Sequence, residues 1–313
     1  MPFQTNSIAP PRDVAALKFG QVSDYRLFIL DTSCLFHLIN YRLNQNALSG
    51  DESLLYAQAS FHWINDLGFI PAFRGRANSV IIWAEDNKPY WRNEIFPAYK
   101  QNRNTPDPVV SALRDLFDSL EGFCKLGFPG YEADDVACLY SHLWANRSPD
   151  SAYKEVYYCT SDSDWQGFIS RADQYWLNFT RHGTRVRQRQ EIYQWLQKKH
   201  SKQSRKRQRE WPLPEFEDFR CGDIWRWKSV VGDSSDGLPA GADLGLINLF
   251  LPPEGYRLHD DPANRKKATD LIDTALRARR SVAFSFGEAE RVFNSLGVEP
   301  PIGYVLNSDL SLV

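Results

Sequence analysis

The stretch YRLFIL, residues 25–30, is apolar or aromatic at five of its six positions and does not alternate polar with apolar side chains. A strand with one wet face alternates, whereas a strand covered on both faces reads as a continuous run. The stretch therefore predicts an interior strand of a parallel sheet. SVIIWA (79–84) and EVYYCT (155–160) read the same way, and QYWLNF (174–179) extends the set. Helical periodicity runs through 54–67, 109–124 and 133–144, between those strands. Strands alternating with helices predict an α/β domain with right-handed crossovers.

Each predicted strand is followed by an acid. Asp31 follows the first directly, Asp86 lies just past the second, and Asp162 and Asp164 stand in TSDSDW after the third. In an open parallel sheet that edge is where ligands sit, because strand ends and the loops above them form a crevice. The segment GYEADD (130–135) adds Glu132, Asp134 and Asp135 at the head of a helix. Glu132 and Asp135 share a helical face with Val136, Leu139 and Leu143, so the apolar stripe that docks on the sheet runs into carboxylates. Asp134 lies about 200° round the axis from Glu132 and joins the cluster only if the helix aims its N-terminus at it. GDSSDG (232–237) supplies Asp233 and Asp236 in a Gly- and Ser-rich loop.

Two unit charges 4 Å apart repel by about 4 kcal/mol at an effective dielectric near 20, so such a crowd either binds protons or collects cations. Hard oxygen donors without His or Cys favour Mg²⁺ or Mn²⁺ over zinc. Two such ions about 4 Å apart activate water and stabilise both the attacking and leaving oxygens in phosphodiester cleavage. Taken singly, each acidic group has an ordinary reading: carboxylates in a first helical turn suit the macrodipole, and SDSD or GDSSDG makes a turn. Their joint placement after successive strands is what points to a metal centre.

The chain has 313 residues, 42% of them hydrophobic, enough for a substantial core. Residues 1–24 read as an extended N-terminal arm without the basic start and apolar run of a signal peptide, and no stretch reaches the length of a membrane span. An α/β domain over 25–180 is followed by a basic insertion at 181–211 and a helical C-terminal lobe over 212–313, with helices at 223–230, 262–280 and 285–296. The formal charge of −2 hides a separation: residues 181–209 hold 11 Lys or Arg against Glu191 alone. Within them, 188–200 has helical spacing. Five cysteines without a C-x-x-C pair argue for reduced thiols in a cytoplasm-like compartment, and Cys138 with His142 reads as packing.

In chain order, Asp31 after its strand, Asp86 followed by YWRNEIFPAYKQNR (90–103), GYEADD, TSDSDWQGFI (160–169) and GDSSDGLP (232–239) resemble the structure-specific 5′-nuclease (flap endonuclease) family. The resemblance is strongest to its phage ribonuclease H branch of 5′-3′ exonucleases. It implies a PIN-like fold with a mainly parallel sheet flanked by helices, a helical arch over about 88–125 and a helical C-terminal lobe. It implies a first Mg²⁺ held by Asp31, Asp86, Glu132, Asp134 and Asp162 and a second by Asp164, Asp233 and Asp236, with Asp135 as adjacent support and Mn²⁺ as a substitute. Arg92, Lys100 and Arg103 correspond to cations at the base of the arch that grip the scissile phosphate and the 5′ strand. Arg92 and Lys100, eight apart, face one way if the segment is one helix.

Asp31, Asp86, Arg92, Lys100 and Asp134 are thus the expected catalytic residues. Tyr99, Arg185, Arg187 and Arg189 join Arg92, Lys100 and Arg103 as expected nucleic-acid contacts. Tyr90, Trp91, Phe96 and Tyr99 read equally as base-stacking or core residues. The segment GLPAGADLGLINLF (237–250) lacks the G-x-G turn and Lys of the family's helix-hairpin-helix, so duplex anchoring is expected to be differently built, with the basic stretch compensating.

The substrates implied are branched or nicked DNA and RNA–DNA hybrid, in primer removal during phage or bacterial replication. A monomer is expected, recruited by a single-strand binding protein or sliding clamp. Two alternatives share parts of the pattern: a PIN-type ribonuclease, which leaves Asp233 and Asp236 unexplained, and a non-catalytic branched-DNA binding protein.

Overall fold

The computed structural model describes residues 25–70, 79–101, 107–147, 153–180, 183–240, 247–281 and 286–303. The N-terminal arm and Arg103 lie outside them. Along the chain come β1 (Tyr25–Asp31), α1 (Thr32–Asn46), α2 (Gly50–Asn65), β2 (Ser79–Ala84), α3 (Arg92–Ile95), α4 (Pro108–Ser119), β3 (Lys125–Leu126) and α5 (Ala133–Ala145). Then follow β4 (Tyr153–Cys159), a 3₁₀ turn (Ser163–Phe168), β5 (Gln174–Thr180), β6 (Gly183–Arg187), α6 (Arg189–His200) and α7 (Arg205–Glu210). The C-terminal part adds α8 (Asp223–Val231), α9 (Ile247–Phe250), α10 (Pro262–Ser281) and α11 (Phe286–Leu296).

The described strands form one sheet in the order β3-β2-β1-β4-β5-β6. All neighbours are parallel except β5 and β6. Successive side chains of each central strand point to opposite faces, and both faces are covered. Leu27 and Ile29 of β1 join Val80, Ile82, Val156 and Tyr158 in a core under α5, α6, α8 and α10. Phe28 and Leu30 join Ile81, Trp83, Tyr157 and Cys159 in a second core under α1, α2, α4 and α11. Burying each such side chain contributes about 1.5–3 kcal/mol, which is why these strands carry no alternation.

Several elements depart from the sequence reading. Helix α1 was not foreseen: its buried face mixes Leu35, Phe36 and Ile39 with Thr32 and Asn40, so the apolar period is diluted. Helix α4 stops at Ser119 rather than 124, since Leu120 turns extended and Gly122 takes φ +85°. The sheet continues past residue 180: β6, inside the basic stretch, pairs antiparallel with β5, and Ile192 and Leu196 of α6 are fully buried. In the expected arch region, described helices cover only Arg92–Ile95 and Pro108–Ser119. Among the described residues, no helix is long and apolar enough to cross a membrane.

Candidate active site

The strand order reverses direction between β1 and β4, the switch point where the crevice of an open α/β sheet opens beyond the strand ends. Asp31 ends β1 and caps α1: its Oδ1 accepts the Cys34 N–H at 3.0 Å, while its Oδ2 accepts the Thr160 hydroxyl at 2.6 Å. That second bond ties the ends of β1 and β4 together. Asp86, beyond β2, accepts the Ser33 hydroxyl at 2.6 Å and the first N–H of α5, from Ala133, at 2.8 Å. The α5 N-terminus therefore does point at the strand ends, which brings Asp134 into the group. Asp134 accepts the Trp165 Nε1–H at 2.7 Å, and Asp162 accepts the Asp164 N–H at 2.9 Å to start the 3₁₀ turn.

Asp31, Asp86, Asp134, Asp162 and Asp233 line one cavity of about 540 Å³. Two groups bring carboxylate oxygens within 4.8 Å of one another: Asp134, Asp162 and Asp164, and Asp164, Asp233 and Asp236. Asp164 belongs to both. Every donor in them is a hard oxygen, the set that suits a divalent cation such as Mg²⁺ or Mn²⁺.

The electrostatics match such a role. Burial, then Asp86, pushes the Asp31 carboxyl up to about 7. Asp164 is also raised to about 7 by burial, against the pull of Lys228. Burial and Asp162 hold Asp134 well above the usual carboxylate range. These groups are costly to ionise without a nearby cation. The Cys34 thiol, on the same wall, is pushed up to about 12 by burial and Asp31, so it stays protonated.

One cation of the site was missed in the sequence. Lys228 of α8 is buried, its ammonium paired with Asp164 and, at 2.8 Å, with Asp233. Burial alone depresses such an ammonium, but Asp164, Asp162 and Asp233 keep it charged. The signal was present: Lys228 stands four residues after buried Ile224, on the apolar face of its helix.

Several expectations need correction. Arg92 and Lys100 do not share a helix face, because α3 ends at Ile95 and Lys100 sits at φ +55°. Arg92 is 3% exposed, and its guanidinium is taken by Asp135 (2.7 and 2.9 Å), Glu132 (2.9 Å) and the Leu249 carbonyl (2.9 Å). It holds carboxylates of the protein rather than a phosphate. Asp135, expected as adjacent support for the metals, has both oxygens on Arg92 and also accepts the Trp91 indole and Glu132 N–H groups. Tyr99 is buried with its hydroxyl donating to Glu132 at 3.0 Å and Asp236 at 3.4 Å, so its ring offers no face to a base.

Glu132 is itself buried among Arg92, Lys100 and Tyr99 and does not line the cavity. Lys100 does line it, with its ammonium on Glu132 and its N–H donating to the Asp236 carbonyl at 3.0 Å. Of the basic residues, Arg185 is exposed on β6. Arg187 lies over Trp176, and Arg189 clamps the carbonyls of Phe216, Glu217 and Phe219, so it fastens the segment WPLPEFEDF (211–219) to α6.

The turn carrying Asp233 and Asp236 depends on Gly232. At φ +81°, a Cβ there would lie 2.6 Å from the Ala240 nitrogen and 2.7 Å from the Pro239 carbonyl carbon, both backbone atoms. Gly232→Ala is expected to cost about 1–3 kcal/mol and to weaken stabilisation by added Mg²⁺, both read by thermal melts. A melting temperature and Mg²⁺ response equal to wild type would contradict this packing.

A family model described as 5′-3′ exonuclease, N-terminal resolvase-like domain, matches residues 26–198. The chain belongs to this 5′-3′ exonuclease family. The matched region includes Asp31, Asp86, Asp134, Asp162 and Asp164, while Lys228, Asp233 and Asp236 lie beyond it. Among curated relatives, the 5′-3′ exonuclease of Bacillus subtilis is 36% identical over 72 residues, 22% of this chain and 24% of that protein. That of Buchnera aphidicola is 40% identical over 60 residues, 18% of this chain and 21% of its own length. The thermostable DNA polymerase I of Thermus caldophilus is 32% identical over 96 residues, 29% of this chain and 11% of the polymerase. The chain thus matches a quarter or less of the length of these relatives. A solved structure of T5 5′-exonuclease with bound zinc aligns over 87% of this chain and 96% of its own, with 15% identity and a TM-score of 0.44.

Proposed function

We propose that this 5′-3′ exonuclease family member is a divalent-metal-dependent 5′-3′ nuclease, using Mg²⁺, that hydrolyses phosphodiester bonds in DNA or RNA strands annealed to DNA. Primer removal, with ribonuclease H activity on the hybrid, is its setting. The observation that carries the reading is the convergence of carboxylates from β1, β2, β4, α5 and the 233–236 turn on one cavity that also holds Lys100 and Lys228. Asp134, Asp162 and Asp164 would hold one ion and Asp164, Asp233 and Asp236 another. When bound, such ions supply Lewis acidity and a water made nucleophilic near neutral pH.

The chain's own residues do the rest. Ser33, Thr160 and Trp165 fix the rotamers of Asp86, Asp31 and Asp134 by the hydrogen bonds described, so the carboxylates are preorganised. Lys228 balances charge between Asp164 and Asp233, where unpaired carboxylates would repel. Lys100 supplies a point charge for a phosphoryl oxygen. Exposed Lys198, Lys199 and Lys202, with Arg205 and Lys206, continue a positive surface along α6 and α7 for the strand backbone. Incubating a 5′-labelled flap and a nicked RNA–DNA hybrid with Mg²⁺ is expected to give short 5′ products, and EDTA to stop their formation. Binding without product at any Mg²⁺ or Mn²⁺ concentration would sink the nuclease reading and favour a non-catalytic binding protein.

A further inference from the structure

With Tyr90, Trp91 and Tyr99 buried, the aromatic surface that remains at the cavity comes from elsewhere. Trp195 of α6 and Trp227 of α8 both line it, together with Lys199. Ile192 and Leu196 anchor α6 in the core, and Trp195 stays half-buried beside them. The two indoles meet edge to face, with centroids 5.9 Å apart and planes at 80°. Trp227 is 6% exposed, so it fixes the plane of the more open Trp195 ring. An edge-to-face contact covers at most one face of that ring. The Lys199 ammonium lies 5.6 Å from the ring centroid, on an exposed side chain. A packed aromatic ring beside an exposed cation, in a cavity of about 540 Å³, has the chemistry and size for one nucleotide unit.

We propose that Trp195 is a stacking platform for a nucleobase beside the scissile phosphate, with Lys199 moving onto a phosphate of the same strand and Trp227 acting as a positioning residue. The proposal rests on the nuclease reading for the identity of the strand, and on the Trp195–Trp227–Lys199 arrangement for the subsite itself. It confers no preference among the four bases, since each has a π-face, but it does require that a base be present.

The test uses the full chain in Ca²⁺ and a 3′-fluorescein duplex with a four-nucleotide 5′ thymidine tail, with abasic residues placed one at a time along the tail and the first duplex positions. At one position the abasic residue is expected to weaken wild-type binding by about 5- to 150-fold, the range of one stacked base. Trp195→Ala should lose a similar factor on the intact strand and nothing further on that abasic strand, while Trp195→Phe keeps most of the affinity. Trp195→Leu replaces Trp195→Ala if thermal melts show the alanine variant unfolded. Losses that multiply independently at every position would overturn the subsite. Cleavage in Mg²⁺ is read on the same samples: coupling without cleavage supports the subsite and removes the nuclease reading, whereas cleavage without coupling does the reverse.

Discussion

Asp134→Asn is expected to abolish cleavage while raising the thermal stability of the metal-free protein. The amide is isosteric, and its oxygen can accept the Trp165 Nε1–H that Asp134 accepts at 2.7 Å. What it removes is charge. Burial, then Asp162, holds the Asp134 carboxyl well above its usual range, so the folded state binds a proton there more readily than the unfolded chain does. Below about pH 4 both states are protonated and the residue has no effect on stability. As pH climbs from there, the wild type loses stability, because the unfolded chain ionises freely and the folded site cannot. Asp31 and Asp164, both raised to about 7, act in the same direction.

The asparagine variant escapes its share of that penalty, so in EDTA at pH 7.5 it should melt above wild type, and the gap should close as the pH falls towards about 4. Millimolar Mg²⁺ should raise the wild-type melting temperature and raise the variant's less. Cleavage should fall by a factor on the order of 10³ or more, since one of the two carboxylate groups is broken. Activity within tenfold of wild type, or a variant less stable than wild type in EDTA at pH 7.5, would contradict the assignment of Asp134 to a cation-collecting cluster.

The sheet was legible because its central strands are buried on both faces, and SVIIWA marks β2 to the residue. The carboxylates at its edge were legible for a related reason: a strand that ends in Asp places that side chain by topology alone. Helix α1 is not legible because Thr32 and Asn40 dilute its apolar period, and its N-cap, Asp31, has the same sequence signature as an acid of the site. Strand β6, GTRVR, alternates polar with apolar as an edge strand should, but its arginines matched a phosphate-binding surface equally well. Such ambiguity is physical. A basic side chain facing solvent, one stacked on Trp176 and one clamping three carbonyls have the same sequence signature and differ only in what folds against them.

The same limit governs the YWRNEIFPAYKQNR segment. Its partners Glu132 and Asp135 lie about forty residues further on, and nothing local says whether an arginine meets them or a phosphate. Helical spacing between Arg92 and Lys100 also presupposes one continuous helix, which the four-residue α3 denies. Lys228 shows the converse case: a single lysine on an apolar helix face is locally anomalous, and its explanation lies in Asp164 and Asp233.

Arg92→Met should therefore act on stability before it acts on substrate. Removing the guanidinium leaves Asp135 and Glu132 buried, at 3% and 1% exposure, without a cation that both now share, and orphans the Leu249 carbonyl. Breaking one side of a buried ion pair costs about 3–5 kcal/mol, because the remaining charge stays desolvated. A fall of about 5–8 °C in melting temperature is expected, with or without Mg²⁺.

If Arg92 instead gripped the scissile phosphate, the variant would melt like wild type and show a raised KM. The two readings separate further in the double variant Arg92→Met with Asp135→Leu. Replacing a buried ion pair by apolar side chains of similar volume is often neutral, and Glu132 keeps Lys100 and Tyr99 as partners. Part of the lost stability should thus return, giving a coupling energy of the size found for groups in one network. An additive double variant would show that the Arg92–Asp135 contact contributes nothing, and the segment's cations would again be open to assignment to the substrate.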